Sequence, residues 1–364
     1  VTAGQEVLVT GVGAVTTLGA GWRSTLEAWR RGRVATGPIE PFEPGDLEGV
    51  ADPRRKAKLV RLAACATLDA WRTAGLDPAA PGSVDTLFVS SALGCLDHSR
   101  DFHAAVIRRT GPSPMLFTES VLNAGAGHVA IERALHGGGH AVSTFLYDGL
   151  DGFRLAFEAV ASGRCARALV VGCDSWIPEL EPIFRSCGAL RAGPGPGGCI
   201  PFSPARDGFR LGEAAGALVL ESRESARRRD ARGLARVAGV VGALRPDEPE
   251  AAVEAAAAAA ADFPLAGWIF PSANGGVCET IEEPLLERLA PARGERSALV
   301  SIKPATGESF AGSAALHLVF ACAALSGEEV PAFEGSAPSA GNGEAWVVGA
   351  DPAGSVTLAR LLAP

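Results

Sequence analysis

Two segments far apart in the chain resemble each other. "EVLVTGVGAV" runs from Glu6 to Val15, and "ARVAGVVGAL" from Ala235 to Leu244. Each is an apolar, β-branched run closing on glycine, which reads as a strand ending in a Gly turn and followed by a helix. A repeated supersecondary unit restricts the fold to one built from two similar halves. The seam is expected in the basic stretch "ESRESARRRDARG", Glu221–Gly233, which reads as a solvated helix face. The halves are therefore 1–225 and 226–364.

Between the repeats, strand and helix patterns alternate. A helix with Trp22, Leu26 and Trp29 on its apolar face follows the first strand, and a second is expected from about Lys58 to Ala74. Strands follow at Thr86–Ser90 and Ala168–Val171, with helices at about Asp97–Arg109, Gly127–Leu135 and Gly149–Ser162 between them. The second half carries strands at Ala266–Phe270 and Ala298–Ile302 and a helix at about Ser309–Ala324. Such alternation indicates an α/β fold with helices packed on a sheet. With 364 residues, 47% of them hydrophobic, the chain can bury a large core.

Several function classes fall away. A formal net charge of −8 disfavours nucleic acid as a partner. The longest apolar runs, such as Ala255–Ala261, are too short to span a bilayer, and no signal-peptide pattern opens the chain, so a cytoplasmic location is expected. The eight cysteines form no C-x-x-C pair and lie at no ligand spacing from a histidine, so neither a metal nor a disulfide framework is expected. They read as buried thiols, with Cys278, in a Gly-rich loop, as the exposed exception. "TGVGAVTTLG" has Thr16 where a dinucleotide loop needs its third glycine, and no phosphate-loop motif occurs; no cofactor is expected.

The stretch "HAVSTFLYDGLDGF", His140–Phe153, is a strand, a sharp polar turn and a helix start. A helix N-terminus is a setting for an anionic nucleophile. Yet the point of the turn holds Leu146. Together with "VLVTGVGAVTTLGAGW", "RLAACATLDAWRTAGL", "NAGAGHVAIERALHGGGHAVST" and "PFSPARDGFRLGEAAGALVLE", in that order along the chain, this stretch resembles the ketosynthase family of thiolase-like enzymes. The resemblance implies a thiolase-like five-layered αβαβα fold with two duplicated halves.

In that family a turn cysteine accepts an acyl chain from a carrier protein, and two histidines serve decarboxylation and the enolate oxygen. By position, the cysteine is replaced here by Leu146, the histidines by Asn274 in "FPSANGGVCETIEEP" and Glu308 in "SIKPATGESFAGSAAL"; Lys303 is retained. A carboxylate cannot donate to an oxyanion unless protonated, so no catalytic residue remains. Lys303 and Glu308 are expected to pair. None of His98, His103, His128, His136, His140 and His317 falls on a matched catalytic position, and His317 is expected to be a packed helix residue. The gating segments differ too. The tail "EAWVVGADPAGSVTLARLL" lacks the family's Gly-Phe-Gly-Gly loop, and "RAGPGPGGC", Arg191–Cys199, replaces the other gate.

The resemblance thus implies a non-catalytic chain-length-factor-like subunit. Its partners are an active ketosynthase, in a heterodimer, and an acyl carrier protein bearing a phosphopantetheine-bound acyl chain. The strand Ala141–Val142 lies at the dimer centre in this family. The floor of the partner's acyl tunnel maps onto "GCLDHSRDF", that is Cys95, His98 and Phe102, whose spacing puts them on one helical face. Many chain-length factors have Gln where this chain has Leu146. Two other readings are a free-standing acyltransferase with an unidentified nucleophile, for which Cys278 is a candidate, and a homodimeric acyl-binding scaffold.

Overall fold

The computed structural model describes residues 4–39, 50, 52–77, 80, 82–193, 197–290, 297–333 and 343–364. In chain order its first half contains β1 (Val7–Thr16), β2 (Gly19–Ala20), α1 (Trp22–Arg30), α2 (Lys58–Thr73), β3 (Thr86–Ser90), α3 (Leu96–Arg108), α4 (Pro114–Ser120), α5 (Ala124–Glu132) and β4 (Gly139–Val142). There follow α6 (Asp151–Ala161), β5 (Arg167–Asp174), α7 (Leu180–Ser186), β6 (Ala214–Ser222) and α8 (Arg223–Arg228). The remainder is β7 (Ala235–Leu244), α9 (Pro249–Ala259), β8 (Trp268–Phe270), α10 (Glu279–Leu289), β9 (Ala298–Leu299), α11 (Lys303–Thr306), α12 (Ala311–Leu325), β10 (Glu344–Asp351) and β11 (Ser355–Leu362).

The sheet runs β4-β3-β5-β6-β1-β7-β11-β10-β8-β9. Each side of the β1–β7 junction repeats one pattern. β3 is parallel to β4 and β5, and β6 is antiparallel to β5 and β1. Likewise β8 is parallel to β9 and β10, and β11 is antiparallel to β10 and β7. The two five-stranded units join through three antiparallel pairs, Val7↔Val237, Leu8↔Arg236 and Val9↔Ala235.

Alternating side chains sort these strands into layers. On β6, Ala214, Leu218 and Leu220 face a central layer with α1, α6 and α12, while Ala215, Ala217 and Val219 face α2 and α5. On β10, Ala345 and Val347 join the central layer, and Trp346 and Val348 face α9 and α10. This is the five-layered αβαβα arrangement. α12 runs through its middle, buried from Ala311 to Ala323, which is why its sequence is apolar on every side.

The repeated glycines do a different job from the one their pattern suggests. β1 continues unbroken through Gly11 and Gly13, and β7 through Gly239 and Gly242, so no turn closes either segment. A Cβ on Gly13 would sit 2.2 Å from the Ala66 carbonyl oxygen, and one on Gly11 2.4 Å from that of Ala70. The glycines let the α2 backbone lie directly on the strand. Other boundaries move modestly: the expected strand Ala298–Ile302 is only β9, and the helix expected at Gly127 starts at Ala124. Among the described residues no helix is long and apolar enough to cross a membrane.

Candidate functional site

The turn between β4 and α6 is the elbow the sequence indicates. It lies directly on the first turn of α12. Gly149 sits at φ +68°, and a Cβ there would come within 2.7 Å of the Ala314 Cβ and 3.0 Å of the Ala311 Cα. Asp148, fully buried beneath the turn, accepts hydrogen bonds from Ser355 Oγ (2.6 Å), Thr357 Oγ1 (2.9 Å) and the Leu150 amide (3.2 Å). Burial pushes its carboxyl up to about 6 against those bonds. The Tyr147 amide donates to Asp351 Oδ2 at 2.9 Å. The elbow is thus tied to the β10–β11 hairpin.

Leu146 is half-buried against an apolar cluster formed by Tyr147, Phe209 and Phe310, with Phe184 packed on it. Ring centroids of these four lie 5.6–6.4 Å apart where they meet. The cavity lined by Ser90, Thr144, Phe145 and Ala311 measures about 10 Å³, at or below what a single water needs. No single motif announces this aromatic cluster, because its members come from four separate segments; the sequence reading did not find it.

Asn274, Lys303 and Glu308 come together in the interior. Glu308 Oε2 accepts from Lys303 Nζ at 2.9 Å and from Asn274 Nδ2 at 3.0 Å, while its Oε1 accepts from the Phe310 amide at 2.8 Å. Lys303 Nζ also donates to the Ser272 carbonyl, and Asn274 Oδ1 accepts from the Gly276 amide. Glu308 is only 1% exposed. The expected Lys303–Glu308 pair is therefore present, extended by Asn274. Burial alone would lower the Lys303 pKa; the Glu308 carboxylate beside it outweighs that and holds it above the usual value. The amide bond from Phe310 supports a residue at φ +50°, a strained conformation for a phenylalanine.

Two more carboxylates flank this network. Glu282 accepts from the Ser272 and Ala273 amides, both at 2.8 Å, and burial pushes it up to about 8. Glu279 accepts from the Gly275 amide at 2.6 Å, and burial raises it too. Cys278 is fully buried between them, and burial holds its thiol well above the usual range. The expectation of an exposed Cys278 is thus wrong: the Gly-rich loop folds inward because its amides bind buried carboxylates. Cys187 is the exposed thiol among the described residues. His317 is buried on α12, its imidazole driven well below the usual range by burial and by Lys303.

The residues matched to the tunnel floor do not share one environment. Cys95 is not on the helix but caps its N-terminus, buried in the α2–α5 layer, with its thiol pushed up to about 12 by burial. His98 Nδ1 lies 3.2 Å from Asp97 Oδ1, and that carboxylate raises its pKa. Phe102 is half-buried, its ring 5.4 Å from that of Phe117 on α4. Of the segment 191–199, expected from the resemblance to stand in place of a gate, residues 194–196 lie outside the described residues.

Residues 48–226 match the family described as beta-ketoacyl synthase, N-terminal domain. Nodulation protein E of Rhizobium meliloti (strain 1021) is 30% identical over 254 residues, 65% of this chain and 62% of that protein. The tetracenomycin polyketide synthase ketoacyl synthase alpha subunit of Streptomyces glaucescens is 29% identical over 267 residues, with the same two shares. The match thus spans 62% of the length of both relatives. A solved structure titled "The ishigamide ketosynthase/chain length factor" superposes over 100% of both chains with a TM-score of 0.83 at 19% identity. That likeness establishes the thiolase-like fold.

Proposed function

We propose that this chain, a ketosynthase-like protein of the thiolase fold, is the non-catalytic, chain-length-factor-like partner of an active ketosynthase. In this reading the pair extends a polyketide or polyene on an acyl carrier protein, and this subunit shapes the acyl tunnel. The observation that carries the reading is the state of Glu308: both of its oxygens are engaged by Lys303, Asn274 and the Phe310 amide. A group saturated in this way, beside an elbow that presents Leu146, has neither a free donor for a thioester oxygen nor a thiol to acylate. The names of the ishigamide and tetracenomycin proteins support the polyketide context.

The partner is expected on the surface formed by α3, α4, α5 and the outer edge of β4. β4 pairs with β3 on one side and ends the sheet order on the other. Ile107, Phe117 and Ile131 stand exposed on the neighbouring helices. An open strand edge beside apolar side chains is what a subunit interface covers. The proposed halves, 1–225 and 226–364, divide within α8.

The test is reconstitution. The chain is incubated alone with acyl-carrier protein, and its intact mass is measured; no acyl adduct is expected. Co-expressed with an intact ketosynthase, it should co-elute as a heterodimer, and the pair should extend malonyl units on the carrier protein. A specific adduct on this chain alone, or condensation without a second subunit, would overturn the reading.

A further inference from the structure

Helices α3 and α4, joined through Arg109–Ser113, form a hairpin whose two ends lie side by side. Gly94 opens it at φ +66°, and a Cβ on Gly94 would sit 3.1 Å from the Leu122 Cδ1 at its far end. Ser99 Oγ, on the first turn of α3, donates to the Ser120 carbonyl at 2.7 Å. The excursion thus begins and ends at one place. There Cys95 and Val121 pack in the layer with α2 and α5. Among the described residues, none between those two belongs to any apolar cluster of the core. α3 buries no residue, and the single buried residue of α4 is a glutamate, Glu119. Val106, Ile107, Met115 and Phe117 of the hairpin are exposed.

Polar contacts hold this hairpin to the body. Ala57 stands at the N-cap of α2 and brings no capping side chain. The hairpin supplies the acceptors instead. The Lys58 amide donates to Asp97 Oδ2 at 3.1 Å, and the Ala57 amide to Glu119 Oε2 at 3.3 Å. A helix N-terminus favours carboxylates in this position. Glu119 Oε1 also lies 2.6 Å from His128 Nε2 on α5 and 3.8 Å from Lys56 Nζ. Farther along α3, Arg100 meets Glu179 at 3.0 Å, an exposed pair of little energetic weight. A segment with no share in the core opens at a lower free-energy cost than the elements that form the core. Here the resistance to opening is concentrated in two carboxylates at one helix end.

We propose that the α3–α4 hairpin is a hinged arm, which opens and closes on the body as one unit about Gly94 and Val121 and is latched shut by Asp97 and Glu119 on the N-terminus of α2. The sheet and the core helices stay in place when it opens. The arm is a property of this chain alone and does not depend on the chain-length-factor reading. Under that reading it carries His98 and Phe102, so its closure would fix where they stand.

The test is hydrogen–deuterium exchange of the full chain, followed by mass spectrometry over a range of protein concentrations. The amides of α3 and α4 are expected to be at least about a hundredfold less protected than those of α12, and to share one opening equilibrium. Glu119→Gln, on α4, removes the latch charge. It should raise exchange about tenfold in α3 as well as in α4, and at the Ala57 and Lys58 amides, while α12 stays unchanged. Asp97→Ala, on α3, should do the same to α4. The unchanged α12 shows in the same experiment that each variant is folded. Protection across 96–120 equal to that of α12 at every concentration would overturn the proposal. So would acceleration confined to the substituted helix, which is fraying of two independent helices, or exchange that neither variant alters. Equal acceleration throughout the chain would overturn it as well, because the carboxylates would then hold the whole fold rather than the arm.

Discussion

The interior network around Glu308 and the outer surface of α3–α5 differ in what they leave unfinished. In the interior, a lysine, an asparagine and a glutamate that are almost completely buried satisfy one another, and two further carboxylates are held by backbone amides. On the surface, α3 buries none of its residues, and Ile107 (80%), Ile131 (77%) and Phe117 (53%) lie open to solvent. The first region is complete within one chain; the second is apolar without cover. The contrast teaches that the buried polar groups around Glu308 are spent on holding the fold, whereas the outer surface of α3–α5 offers apolar side chains to a partner under the proposed reading.

The largest effect should come from breaking the interior. Lys303→Met leaves the Glu308 carboxylate buried without its cation, at a cost of about 3–5 kcal/mol. Chemical denaturation should show this as a large fall in midpoint. The double variant Lys303→Met/Glu308→Gln removes the stranded charge and should regain part of the loss. A single-variant cost below about 1 kcal/mol, the range of a surface pair, would mean that the network does not hold this region.

The surface should respond in the opposite way. Ile107→Asp combined with Ile131→Asp changes two exposed side chains, so the dissociated chain should unfold within about 0.5 kcal/mol per site of the parent. Association should suffer instead, because a charge placed in an apolar interface must be desolvated on assembly. Gel filtration should show loss of self-association or of co-elution with a ketosynthase. Unchanged elution would remove this surface as the interface and sharpen the comparison against it.

The same contrast explains which parts were readable from sequence. Helical periodicity located α1 and α2, and short continuous apolar runs located most strands, because the strands are buried on both faces. The matched motifs located Leu146, Asn274, Lys303 and Glu308, and opposite charges five residues apart foretold the Lys303–Glu308 pair. The glycines of β1 misled, since a turn glycine and a glycine under a crossing helix look identical in one dimension; only the position of Ala66 and Ala70 tells them apart. Cys278 misled for a related reason. Its loop looks exposed until Glu279 and Glu282 are seen binding the loop's own amides. The aromatic cluster was invisible because its residues converge from segments with no shared period.

A smaller effect tests whether the interior is finished at every pH. Glu282 has a folded pKa near 8, raised by burial from an ordinary value of 4.5. The folded state therefore binds the extra proton. Its contribution to stability is complete below the ordinary value and is lost as pH rises through about 8. Melting temperature should fall across that window. Glu282→Gln cannot ionise and should flatten the profile, although it loses one amide bond and starts lower. A parallel profile in the variant would show that Glu282 does not titrate there. Neither surface substitution should alter this slope.

The last comparison concerns Phe102, which lies within the surface region on α3. Of the three residues matched to a tunnel floor, Cys95 is buried among α2 and α5, so enlarging it would disrupt the core rather than the tunnel. His98 lies against the Asp97 carboxylate, at an ion-pair distance. Phe102 is half-buried and rests on Phe117, itself exposed, so Phe102→Ala should cost the lone chain only about 1 kcal/mol, the worth of an aromatic pair. Its effect on products should be larger. If the helix floors the partner's tunnel, the vacated space is open to the growing acyl chain. Two further carbons would gain about 1.6 kcal/mol at ~0.8 kcal/mol per CH₂. That is more than a tenfold shift in a product distribution. Mass spectrometry of carrier-bound products at equal turnover should therefore show longer chains from the pair carrying Phe102→Ala. An unchanged length distribution with activity intact would separate α3 from the tunnel and leave it to subunit contact alone.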